Sequence, residues 1–205
     1  MGDMPGYVDS EYLSRAARLG QWFKERSYEL LQIRPGQTVL DVGCGPGVDT
    51  IPMAAQVGED GHIVGVDLDP DMVSEAEIRA TEEGLKSRIT HQPAGADALP
   101  FADCTFDAVR AERLIQVLPE RAITKMAVTE MYRVLKPGGR LVLADADWGS
   151  ASVDFSDSAL ERRLLTFFAE QLRPNGYAGR ELVRVMHHQG FRSLQKEVTA
   201  MAHTD

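Results

Sequence analysis

Hydrophobic and polar positions alternate along the chain in a way that predicts a strand, a helix, and then the same pair again. Residues 9–32 place Tyr12, Ala16, Leu19, Phe23 and Leu30 at helical spacing, and Pro35-Gly36 ends that helix. Thr38-Val39-Leu40 reads as a buried strand ending at Asp41, followed by a glycine-rich turn and a helix over about 48–57. Residues 62–68 form the second strand, and Asp69-Pro70-Asp71 starts a helix with an N-cap, a proline at its first position and an acid in its first turn. That helix runs to about Glu83, where Gly84 stops it. Further strands are expected near 89–92 and 106–110, the latter apolar enough to be interior. A helix over 119–135 ends at Lys136-Pro137-Gly138-Gly139, and a strand over 140–146 follows. Helices over about 156–172 and 179–189 and a last strand near 192–202 complete the pattern. Such alternation predicts an α/β fold: a doubly wound, mostly parallel sheet of Rossmann-like design with helices on both faces. Ligands in such sheets bind beyond the carboxyl ends of the strands.

With 205 residues, 43% of them hydrophobic and 26% charged, the chain has the balance of a single globular domain. Two cysteines, Cys44 and Cys104, lie outside any CxxC or Cys/His cluster, so neither a disulfide scaffold nor a metal site is expected. Met1 to Gly6 show no basic segment leading into an apolar stretch, no run approaches a membrane span, and Gly6 stands where a myristoylation motif wants Ser or Thr. A cytoplasmic location is the expectation. Net charge is −9, concentrated in residues 35–110, which carry 14 acidic and 4 basic groups. An acidic surface without basic runs argues against a nucleic-acid partner.

The segment Asp41-Val42-Gly43-Cys44-Gly45-Pro46-Gly47 falls between a strand and a helix, where missing Cβ atoms let a ligand approach the backbone. A dinucleotide fingerprint needs a third glycine where Val48 stands, so the pattern suits a smaller cofactor without a pyrophosphate. Asp67 ends the second strand, 24 residues past Gly43, where a carboxylate can accept from both hydroxyls of a ribose. The plainer reading is a tight turn at the glycines and a capping cluster at Asp67.

Five stretches in order carry a resemblance: Val39-Leu40-Asp41-Val42-Gly43-Cys44-Gly45-Pro46-Gly47, Gly65-Val66-Asp67, Asp97-Ala98-Leu99-Pro100-Phe101, Phe106-Asp107-Ala108-Val109, and Arg133-Val134-Leu135-Lys136-Pro137-Gly138-Gly139-Arg140. Over roughly residues 37–147 the chain resembles the class I S-adenosylmethionine-dependent methyltransferases, and within them the ubiquinone/menaquinone-biosynthesis-like small-molecule enzymes. The resemblance implies S-adenosyl-L-methionine as cofactor. It implies that Gly43, Cys44, Gly45 and Gly47 hold the methionine end, with Asp41 near its ammonium. It also implies that Asp67 holds the ribose and that Asp97 and Ala98 meet the adenine. Leu68 and Met72 are candidates to pack against the adenine ring, and ordinary core positions otherwise.

The loop after the fourth strand, with Glu112 and Gln116, lies where the family brings methyl donor and acceptor together, so both are candidate cofactor contacts. It lacks the Asn/Asp-Pro-Pro-Tyr/Phe motif of enzymes that methylate nucleobase or glutamine nitrogens. Gln116 cannot act as a base, which leaves Glu112 as the local candidate proton acceptor; pairing with Arg113, as structure or substrate clamp, is the alternative. Asp145 and Asp147, followed by Trp148, would share a face if the strand continued through them, and are read as solvated or hydrogen-bonded acids. His187 and His188 read as surface residues, His91 as an edge-strand residue, and Cys44 as a small loop residue rather than a nucleophile. The N-terminal helix, with Tyr12, Arg15 and Trp22, is either core packing or a lid. The expectation is therefore one domain, with 1–34 as helical lid, 35–147 as cofactor-binding core and 148–205 as the acceptor side.

The function expected is methyl transfer to a small organic acceptor at oxygen or carbon. A non-catalytic module binding S-adenosylmethionine or S-adenosylhomocysteine is the rival reading, and Val48 speaks against a nicotinamide-dependent oxidoreductase. The family sheet has seven strands and this pattern supplies six, so a truncated or short member is expected, with an open edge that would favour a homodimer.

Overall fold

The computed structural model describes residues 20–200, and Tyr12, Arg15, Ala16 and Leu19 lie outside the described residues. The elements are α1 (Gln21–Leu31), β1 (Thr38–Val42), α2 (Thr50–Val57), β2 (His62–Asp67), α3 (Pro70–Glu82), β3 (Ile89–Pro93), β4 (Phe106–Glu112), α4 (Arg121–Val134), β5 (Leu135–Ala144), α5 (Ser158–Phe167) and α6 (Ala178–Gln189). Short single turns at Ile115–Val117 and Trp148–Ser150 and a π-turn at Phe168–Leu172 connect them. The sheet order is β3-β2-β1-β4-β5 and every pairing is parallel, as the doubly wound pattern requires.

Period-two alternation divides the core between the two faces. Leu40, Val42, Val66 and Val109 turn toward Ala127, Met131 and Val134 of α4. Val39, Ile63, Ile89 and Ala108 turn the other way, toward Tyr28 and Leu31 of α1, Met53 and Val57 of α2 and Ala80 of α3. Each valine, leucine, isoleucine or methionine among them contributes about 1.5–3 kcal/mol on removal from water, before the entropy of ordering it is counted. Helix α3 starts as its sequence directs: Asp69 accepts from the Asp71 amide at 2.8 Å and Pro70 takes the first helical position.

Four expectations need correction. Residues 191–200 form no strand, so the described sheet has five strands; Val198 is 81% exposed, and Glu197 instead pairs with Arg26 of α1 at 2.6 Å. The large apolar residues Phe191, Leu194 and Val198 fall three and four positions apart rather than two, so the spacing of a half-buried strand is missing. Strand β5 begins at Leu135, opposite Phe106, and pairing resumes at Ala108 opposite Arg140, so Lys136-Pro137-Gly138-Gly139 loops out as a bulge inside the strand. Because β5 stops at Ala144, Asp145 and Asp147 occupy a loop where strand alternation does not apply. Finally, the face of α1 that packs inward is Lys24, Ser27, Tyr28 and Leu31, while Phe23 and Leu30 are only half-buried. Hydrophobic periodicity selected the neighbouring stripe because the true one contains a lysine and a serine.

Candidate cofactor site

Above the apolar layer that faces α1, the alternation of β1 and β4 continues into charge. Asp41 follows Val39, Arg110 and Glu112 follow Ala108, and Asp41 stands in register with Arg110. Helix α1 brings Lys24, Ser27 and Tyr28 onto the same face, and Asp49 at the start of α2 closes the group. Lys24 Nζ bridges Asp49 Oδ2 at 2.7 Å and Glu112 Oε1 at 2.8 Å. The Arg110 guanidinium reaches Asp41 at 3.2 Å, Asp49 at 3.3 Å and Glu112, donates to Ser27 Oγ at 2.9 Å and lies over the Tyr28 ring. Tyr28 donates its hydroxyl hydrogen to Asp49. At the rim, Arg113 Nε approaches Glu112 Oε1 at 3.2 Å.

This network sorts its carboxylates. Burial pushes the Asp41 carboxyl up to about 7, against the pull of Arg110. Burial acts on Asp49 in the same sense, but Arg110 and Lys24 outweigh it and hold that group below the usual carboxylate range. Arg110 stays charged because the carboxylates around it overcome its burial. Asp41 Oδ2 is buried and has no hydrogen-bond partner.

The strand ends open onto one cleft. Gly43, Cys44 and Gly45 form its floor after β1, and Asp67, Leu68 and Met72 its wall after β2. Asp97 adds a third side, while Glu112 and Gln116 stand after β4. Asp41, Gly47 and Ala98 sit behind or beside this surface rather than on it. The loop conformation requires glycine at Gly43 and Gly47, both at φ +75°; a Cβ on Gly47 would come within 2.9 Å of Ala76 Cβ. Asp67 ties the loop to β2, accepting from the Gly45 amide at 2.8 Å and the Asp69 amide at 3.0 Å, and a carboxylate retains lone pairs beyond those two bonds. Leu68 is 62% exposed, an apolar side chain held at the cleft mouth beside Gly95 and Asp97, and Met72 is buried.

Farther along, Gln116 accepts from the Trp148 indole through its side chain and from the Asn175 amide through its carbonyl. The Asp145 carboxyl accepts from the amides of Gln116 and Ala146, and burial pushes it up to about 7. Asp147 pairs with Arg180 at 2.8 Å. Trp148 packs against Phe168 at 4.9 Å, with Arg173 over both rings. Trp22 lines the cleft and is 43% exposed. His187 and His188 are exposed, and burial pushes the Cys44 thiol well above its ordinary range, which disfavours the thiolate. Among the described residues no group of three or more His, Cys, Asp or Glu is placed to hold a metal ion.

Comparison with known proteins bears on this geometry. Residues 39–139 match the family model described as a methyltransferase domain. An uncharacterized transposon-encoded protein of Streptomyces fradiae is 33% identical over 92% of this chain and 52% of its own length. A demethylmenaquinone methyltransferase of Symbiobacterium thermophilum is 38% identical over 65% of this chain and 53% of its own. A solved SAM-dependent methyltransferase from Aquifex aeolicus shares the fold with a TM-score of 0.69 at 23% identity, covering 91% of this chain and 90% of that one. Residues 39–139 are a methyltransferase domain, and these likenesses support a class I S-adenosylmethionine-dependent methyltransferase. It spans about half the length of the curated relatives it matches.

The residues of this methyltransferase fit S-adenosylmethionine, the family's cofactor. The acidic rim of Asp67 and Asp97 suits a ligand carrying N–H donors, hydroxyls and positive charge, and exposed Leu68 beside Asp97 suits a flat apolar surface between them. The dinucleotide reading loses further ground here. The Tyr-x-x-x-Lys spacing of many nicotinamide-dependent reductases does occur, at Tyr132 and Lys136, but α4 ends between the two. Tyr132 packs on Phe191 and Lys136 pairs with Asp107 at 2.9 Å.

Sequence reasoning missed Lys24, Tyr28, Asp49 and Arg110 as site-forming residues. Arg110 carried a signal: a cation between Val109 and Ala111, inside an otherwise apolar interior strand, must meet buried anions. Lys24 carried none, because nothing local distinguishes it from a solvated helix lysine.

Proposed function

We propose that the chain transfers a methyl group from S-adenosylmethionine to a small organic acceptor, at oxygen or carbon. The observation that carries this reading is the gathering of the glycine loop, Asp67 and Asp97 at the carboxyl ends of the strands, with Asp67 bonded to the Gly45 amide, Leu68 beside Gly95 and Asp97, and the Gln116–Trp148 contact following β4. When bound, the cofactor supplies an electrophilic methyl group on a sulfonium sulfur. In this reading the chain's own residues do the rest. Asp67 accepts from the ribose hydroxyls, Asp97 meets the adenine amine beside Leu68 and Met72, and the loop from Gly43 to Gly47 lets the methionine end approach the backbone. Asp41 stands behind this loop, near the ammonium but not on the cleft surface. Gln116 and Trp148 line the acceptor end, where excluding water and aligning the acceptor matter most for methyl transfer.

Glu112 serves in this reading as a positioning residue. Both of its oxygens already accept from cations, Oε1 from Lys24 and Arg113 and Oε2 from Arg110, so the carboxylate organises the cleft wall rather than taking a proton from the acceptor.

Isothermal titration with S-adenosylmethionine, S-adenosylhomocysteine and NADH in parallel tests the assignment. Micromolar binding of the first two alone is expected, followed by methyl transfer to phenolic, quinol or hydroxyl acceptors in a screen. Binding without turnover across such a screen would favour a module that holds the cofactor only, and no binding by folded protein would sink both readings.

A further inference from the structure

Beneath the glycine loop lies a buried chain of polar groups that the proposed reaction does not use. His91 on the edge strand β3 turns its ring inward: the side chain is 0% exposed, packed over Gly65 of β2, where a Cβ would come within 2.5 Å of the ring carbon Cδ2. The expectation of an edge-strand histidine holds for the backbone, yet the ring is interior. Its Nδ1 lies 3.0 Å from Glu77 Oε1 of α3, which also accepts from the His91 amide at 2.6 Å. Its Nε2 lies 3.0 Å from Thr50 Oγ1 at the start of α2, and Thr50 Oγ1 lies 3.0 Å from the Gly47 carbonyl.

Counting hydrogens shows that these bonds cannot all form with a neutral ring. The Glu77 carboxylate only accepts, so Nδ1 carries a hydrogen. With that single ring hydrogen, Nε2 is an acceptor and takes the one hydroxyl hydrogen of Thr50, so Gly47 loses this donor. With a second hydrogen on Nε2, the ring donates to the Thr50 oxygen, and the hydroxyl hydrogen passes to the Gly47 carbonyl. Both partners stand at 3.0 Å, so the hydroxyl changes partner by rotating, without any movement of the backbone.

We propose that His91, Glu77 and Thr50 form a proton-controlled anchor for the cofactor loop, in which a doubly protonated His91 directs the Thr50 hydroxyl to Gly47 and a singly protonated one withdraws it. His91 and Thr50 are positioning residues that act through Gly47. The second proton comes from solvent and settles on Nε2, on the Thr50 side of the ring, since Nδ1 already carries its hydrogen toward Glu77. Besides Glu77, the titratable group facing the ring is the Cys44 thiol, which meets it across Gly65; Arg79 of α3 turns instead to the Pro46 carbonyl at 2.9 Å and to Glu75. Burial lowers the imidazole below its ordinary 6.5 while Glu77 opposes that shift. The loop is therefore tied down as pH falls below that value and freed at neutral pH.

The proposal rests on the cofactor reading of this loop, and the test keeps the two apart. S-adenosylhomocysteine affinity is measured by calorimetry from pH 5 to pH 8 on the full chain and on Thr50→Val, Thr50→Ser and Glu77→Gln. The wild-type affinity is expected to strengthen toward low pH by roughly two- to tenfold relative to Thr50→Val, the worth of one hydrogen bond. Thr50→Ser should restore the wild-type profile, and Glu77→Gln should move the transition to lower pH. Asp41, which titrates near 7, is common to all four proteins and cancels in the comparison. Coincident profiles for wild type and Thr50→Val would overturn the anchor while leaving the cofactor site standing. Should S-adenosylhomocysteine not bind at all, the cofactor reading falls. Nitrogen chemical shifts of the His91 ring and amide exchange of the 43–48 loop then decide the anchor by themselves: a loop whose protection ignores the ring's protonation refutes it.

Discussion

Lys24 of α1 and Glu112 at the end of β4 stand 88 positions apart in sequence and meet at 2.8 Å, each with almost no exposed side-chain surface. The contact joins an N-terminal helix to a wall of the cofactor cleft, and Arg110 and Asp49 complete it from either side. A charged pair withdrawn from water is costly to break singly, because the partner left behind keeps its desolvation penalty.

Lys24→Met is accordingly expected to destabilise the protein by about 3 kcal/mol, read from the urea midpoint at constant m-value. A loss under about 0.5 kcal/mol would mean that Arg110 and Arg113 neutralise the carboxylates without help.

Asp67→Ala removes the acceptor for the Gly45 and Asp69 amides together with the proposed ribose contacts. Calorimetry should show S-adenosylhomocysteine binding weakened by roughly 1–3 kcal/mol. Unchanged affinity would refute the ribose assignment.

Glu112→Gln keeps the shape of the side chain and removes its charge, leaving Lys24 and Arg110 short of a counter-ion. The expected outcome is a melting temperature lowered by several degrees and, with any acceptor that turns over, a pH–rate profile of unaltered shape. Loss of the acidic limb of that profile, the fall in rate at low pH as a general base is protonated, would reinstate Glu112 as the proton acceptor.

Asp41 and Asp145 should make stability depend on pH in the sense opposite to that of a salt-bridged carboxylate. Burial raises both to about 7 from an ordinary 3.8, so between those values the folded state binds more protons than the unfolded one. Stability then falls as pH rises from 4 to 7, by at most about 1.4 kcal/mol per pH unit for each group, and levels off above. Chemical denaturation at a series of pH values checks the slope, and Asp41→Asn should flatten part of it.

The parallel sheet and the glycine loop after β1 were legible because each rests on local rules. Glycines where φ is positive, an Asp-Pro helix start and apolar runs at strand length all act within a few residues. What escaped depended on distant partners. The inward face of α1 could not be read from periodicity, since Lys24 and Ser27 are buried only because Asp49, Glu112 and Arg110 await them. Residues 191–200 pair with no strand: Phe191, Leu194 and Val198 lack period-two spacing, and Ser193 adopts φ +54°. The relay under the glycine loop was invisible for the same reason, as Thr50, Glu77 and His91 come from three separate elements.

The mixed character of the α1 face also sets how that helix responds to temperature. Detaching it would expose Tyr28 and Leu31, which raises the heat capacity, together with Lys24, Ser27 and the carboxylates beneath them, which lowers it. The two contributions oppose one another, so the free energy of releasing α1 should vary almost linearly with temperature. The methyl-lined clusters elsewhere in the sheet follow a curved stability profile and weaken in the cold. Cooling therefore loosens the body of this domain before it loosens α1.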